Sequence, residues 1–75
     1  MATKQIEAAV RAWQLYHGSS GYVPIRTQQR LYDRAKRLSA TLARRYQMSE
    51  RDVIAQLTTE ASKLGHIRPQ PGRDI

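Results

Sequence analysis

The chain has 75 residues, thirteen Lys/Arg against six Asp/Glu and a formal net charge of +7, enough for one domain at most. It lacks cysteine, which excludes a disulfide framework and a thiolate-held metal. No apolar run approaches the ~20 residues of a membrane helix, and Met1-Ala2-Thr3-Lys4 leads into no apolar signal-peptide core.

So short a chain buries a thin core, and some of its stability is expected from a partner or from self-association. A soluble, cytoplasmic setting is the default expectation.

The first helix is expected over residues 4–17, with Thr3 as its N-cap. Ile6, Ala9, Val10, Trp13 and Tyr16 or His17 recur at helical spacing and make one apolar stripe, with Trp13 as core anchor. Gly18 stands where a C-terminal glycine cap belongs. Gly18-Ser19-Ser20-Gly21 reads as a break, and Tyr22-Val23-Pro24-Ile25-Arg26 as extended, since Pro24 restricts the residue before it. Thr27 is placed to cap a second helix.

Over residues 28–46, Leu31, Ala35, Leu38, Leu42 and Tyr46 keep helical spacing. Arg30, Arg34, Arg37, Arg44 and Arg45 fall off that stripe. Ser39-Ala40-Thr41 admits either a bend between two helices or one long helix. Ser49-Glu50-Arg51-Asp52 resembles a capping box, with Asp52 at the usual Glu or Gln position. A last helix follows over residues 50–64, with Val53, Leu57, Ala61 and Leu64 facing inward and Gly65 closing it. Residues 66–75 hold two prolines and a glycine and read as a tail or linker, as if a domain had been cut from a longer protein.

The fold expectation is therefore an all-α domain of three to four helices over residues 1–65, with a helix-turn-helix near residues 42–57. In that unit Ala43 is the close-contact position, Tyr46 and Met48 fill the wedge at the turn, and Val53 and Leu57 anchor the second helix. Gln47 departs from the pattern, because many such turns carry glycine where a positive φ is wanted, which leaves open a wider turn or an accidental motif.

Charge points the same way. Between Arg26 and Arg51, eight bases (Arg26, Arg30, Arg34, Lys36, Arg37, Arg44, Arg45, Arg51) face two acids, Asp33 and Glu50. So dense a basic block suits a phosphate-binding surface. Arg26, Arg30, Arg34, Arg37, Arg44 and Arg45 are the expected phosphate contacts. Ser49, Glu50, Arg51, Ile54, Ala55 and Thr58, with Gln56 beside them, are the expected base-reading positions. Arg51 can fork to guanine O6/N7, Gln56 to adenine N6/N7, and Thr58 or Ala55 can meet a thymine methyl. Glu50 can accept from cytosine N4 or simply favour the helix dipole.

The expected partner is double-stranded DNA, with self-association on repeated sites and no membrane or small-molecule substrate. One alternative is a ribbon-helix-helix dimer, in which residues 23–27 pair as a strand. Pro24 removes a ladder donor there, and the first helix would have no role. Another is a basic helical module for RNA or an acidic protein. No glycine-rich phosphate loop, paired catalytic carboxylates or nucleophile–His–acid set is visible, so no enzyme and no cofactor are expected. His17 and His66 lie far apart in sequence, so a metal site would exist only if folding brought them together; none is expected.

From Met1-Ala2-Thr3-Lys4-Gln5-Ile6 to Arg68-Pro69-Gln70-Pro71-Gly72, with the helix-turn-helix of residues 43–57 as its carrying motif, the chain resembles the N-terminal DNA-binding region of StbA-type plasmid stability proteins. That resemblance implies a plasmid-encoded bacterial protein that binds short repeats near a transfer origin, represses its own operon and helps segregate the plasmid.

Overall fold

A computed structural model describes residues 3–67. Three helices follow one another: α1 (Thr3–Gly18), α2 (Ile25–Tyr46) and α3 (Glu50–Leu64). No strand occurs among the described residues. Each helix packs on the other two.

The core is built largely from small residues. Ala9, Val10, Ala12 and Trp13 come from α1, Ala35, Leu42 and Ala43 from α2, and Val53, Leu57 and Ala61 from α3. The alanines let the helices approach closely, and Trp13 fills the space between them. Its ring meets Tyr16 and Tyr32 edge-on, each at 5.9 Å between centroids, the arrangement aromatic quadrupoles favour. Trp13 Nε1 donates to Ser39 Oγ at 3.0 Å, and Ser39 Oγ donates to the Ala35 carbonyl at 2.8 Å. The one buried indole donor is thereby satisfied, as burial requires.

Side-chain pairings give the order of the helices in space. Gln5 meets Arg45, and Trp13 meets Ser39, so α1 and α2 run antiparallel. Gln14 bonds Gly65 beyond the end of α3, so the C-terminal ends of α1 and α3 lie together.

Residues 28–46 form part of one unbroken helix, which settles the choice left open at Ser39-Ala40-Thr41. Ser39 is a buried hydrogen-bonding group in mid-helix, not a cap. The start of α2 corrects two expectations. Pro24 is the N-cap, in extended conformation with φ −61° and ψ 156°, and Thr27 lies inside the first turn. Proline's fixed φ and missing N–H suit a helix start, so Ile25 and Arg26 are helical, not extended. A ribbon over residues 23–27 is thus not formed.

The α2–α3 turn is tight, although Gln47 stands where glycine is usual. Gln47 takes the left-handed conformation, φ 54° and ψ 46°. Its N–H donates to the Arg44 carbonyl, and that of Met48 to the Ala43 carbonyl at 2.9 Å. This double closure is the Schellman pattern. Ser49 caps α3, accepting from the Asp52 N–H at 3.1 Å. Gly65, with φ 93°, ends α3.

Three further expectations give way. Leu64, the last residue of α3, is 65 % exposed and does not face inward. Tyr46 and Met48 are about two-fifths exposed and do not fill a wedge. Gly18 is not a positive-φ cap. It is a buried helical residue, and a methyl group there would overlap the Ile67 carbonyl oxygen. That close approach exists because residues 65–67 fold back over α1. Ile67 N–H donates to the Gln14 carbonyl at 3.2 Å, and Gln14 Nε2 to the Gly65 carbonyl at 2.8 Å. Residues 66 and 67, expected in the tail, therefore pack on the helical body. Residues 68–75 lie outside the described residues.

Candidate nucleic-acid interface

The arginines of α2 share one face because of their spacing. At about 100° per residue, Arg26, Arg30, Arg34, Arg37, Arg44 and Arg45 fall within an arc of roughly 100°. Leu31, Ala35, Ser39 and Leu42 lie on the opposite side and are buried. All six arginines are exposed. From Arg26 to Arg45 the row runs about 28 Å along the axis, at 1.5 Å per residue. Arg45 donates from Nη1 to Gln5 Oε1 at 3.3 Å, which steadies it beside the start of α1.

Lys36 does not join the row. It is half-buried on the flank of α2, with Nζ 5.9 Å from the centre of the Tyr32 ring. In the sequence Thr41 marks only a place where the helix could bend. It is exposed in the middle of the arginine arc, with Oγ1 donating to the Arg37 carbonyl at 3.1 Å. Its distance of four residues from Arg37 and three from Arg44 was the available signal.

The charge is divided by element. α2 carries the six arginines and Lys36 against Asp33 alone. α3 carries Glu50, Asp52 and Glu60 against Arg51 and Lys63, and α1 nearly balances. Positive charge is therefore concentrated on α2, while α3 carries a slight excess of acid.

The expected base-reading set separates into two groups. Glu50, Arg51 and Ala55 are exposed on α3. Ile54 is half-buried against the core. Thr58 is half-buried too, its hydroxyl donating to the Ile54 carbonyl at 2.8 Å and the Ala55 carbonyl at 3.1 Å. Ser49 Oγ is occupied as the cap. The reason is geometric: α3 is wedged between α1 and α2, so its buried arc is wider than the stripe of Val53, Leu57 and Ala61 and takes in its neighbours. The outer side of α3 instead presents Gln56 and Thr59 beside Ala55, around a shallow hollow. Thr59 was not singled out by the sequence pattern.

Because the turn is short, Arg44, Arg45 and Arg51 lie at one end of the molecule. The N-terminal end of α1 is there as well, as the Gln5–Arg45 contact shows. Among the described residues no group of three or more His, Cys, Asp or Glu is arranged to hold a metal ion, and no helix is long and apolar enough to cross a membrane. No family model matches the chain, and neither a curated protein nor a solved structure matches it significantly.

Proposed function

We propose that this chain binds double-stranded DNA, with the outer face of α2 along the phosphates. The observation that carries the reading is the single exposed row of six arginines on one uninterrupted helix. Guanidinium groups pair with phosphate oxygens in a planar fork and keep their charge at all physiological pH values. A row of about 28 Å can engage phosphates on both sides of a groove roughly 12 Å wide. The helix-turn-helix reading supplies the second part. The tight turn at Gln47 sets the first turn of α3 next to Arg44 and Arg45, so Arg51 and Ala55, with Gln56 and Thr59, are offered to base edges.

In the terms of the resemblance to StbA-type proteins, the bound sites would be short repeats, and binding would serve repression and plasmid segregation. The test is selection of bound duplexes from a random pool, with structured RNA and single-stranded DNA as competitors at fixed salt. Recovery of a common duplex motif supports the reading. Preference for structured RNA over every duplex refutes it and favours the basic-module alternative.

A further inference from the structure

We infer that His17 and His66 form a two-imidazole site for a divalent transition metal, which would staple residues 65–67 to the end of α1. The two are separated by most of the chain, yet folding brings their ring centroids to 5.7 Å, with the planes tilted by 58°. Two imidazoles bound to one Zn²⁺ at ~2.1 Å from each nitrogen place their centroids roughly 5–6 Å apart. The backbone is already held at that separation. Gln14 bonds the segment twice, through Nε2 to the Gly65 carbonyl and through its own carbonyl to the Ile67 N–H. Gly18 lets the segment come close, because it has no side chain to meet Ile67.

His17 is half-buried against Trp13 and Tyr16, with centroids 5.9 and 5.6 Å away, which limits its motion. His66 is exposed, and its broad χ2 torsion lets a nitrogen turn toward a shared ion. Burial first, and His66 second, hold His17 below its ordinary pKa of 6.5, so the neutral form that ligates metal prevails at neutral pH. Imidazole suits Zn²⁺, Cu²⁺ and Ni²⁺. With two protein ligands, the remaining positions are open to water or to a ligand from outside. This inference stands apart from DNA binding.

The experiment is a Zn²⁺ titration of the untagged chain at pH 7.5 without DNA, followed by the His side-chain NMR signals and by emission of Trp13, the one tryptophan. One equivalent should shift both imidazoles together and raise the melting temperature. H17Q and H66Q should each weaken binding at least ~10-fold, as loss of metal-site groups does. H66Q alters an exposed side chain beyond α3 and should melt like the parent without metal. No response at millimolar Zn²⁺ overturns the inference, as does H66Q binding Zn²⁺ as tightly as the parent.

Discussion

Removing the Ser39 hydroxyl would leave Trp13 Nε1 buried with no acceptor. Ser39→Ala is expected to cost about 1–3 kcal/mol, the penalty for an orphaned buried donor, read as a lower urea midpoint with an unchanged m-value. The sequence showed Trp13 as an anchor. It could not show that the partner was a serine 26 positions away, since a serine in mid-helix resembles a bend. Gln47 works in the opposite direction. It holds a left-handed conformation that L-residues resist and glycine does not. Gln47→Gly should therefore stabilise the fold by roughly 0.5–1 kcal/mol, by the same urea measurement. His17 adds a pH dependence. Its folded pKa lies below 6.5, chiefly from burial, so the unfolded chain binds the proton more readily. Its effect on stability is nil well above pH 6.5 and becomes destabilising as pH falls through 6.5 toward the lowered value. Melting temperatures measured from pH 7.5 to 5 should fall, and less steeply in H17Q.

At the scale of elements, α2 was the most legible in type and the least legible at its start. Its stripe of Leu31, Ala35, Leu38 and Leu42 predicts the buried face, and the arginines off the stripe predict the exposed one. The start was missed because Pro24 signals extended backbone to the residue before it and a helix beginning to the residue after it. In α3 the cap at Ser49 and the anchors Val53 and Leu57 were readable locally. Burial of Ile54 and Thr58 was not, because it depends on two neighbouring helices and not on the period of one.

This division of α3 sets up a contrast between elements. On a selected site, Arg51→Ala is expected to lose about 1–3 kcal/mol and to relax preference at one base pair. Arg37→Ala, in the middle of the α2 row, should weaken selected and scrambled duplexes alike and lower the salt slope by roughly one unit. Binding curves on the two duplexes check both outcomes. If Arg51→Ala weakened both equally, α3 would not be the reader.

At the scale of the whole molecule, the fold sorts charge. Of the excess of seven positive charges in the sequence, α2 alone carries seven bases against Asp33, and the acidic residues of α3 lie on another element. The sequence revealed the density of that basic block. That six arginines share one exposed side required α2 to be unbroken, since a bend at Ser39-Ala40-Thr41 would have turned Arg44 and Arg45 away from Arg26 and Arg37. In the proposed function this row lies on DNA phosphates. Its most direct test is the dissociation constant for a duplex measured between 50 and 300 mM salt, for the parent and for the Arg30→Ala/Arg34→Ala/Arg37→Ala variant, with folding checked by circular dichroism. Log K should fall linearly with log salt, with a slope matching roughly four or more phosphates, reduced by about three units in the folded variant. Affinity independent of salt, or a folded variant with the parent's slope, would contradict it.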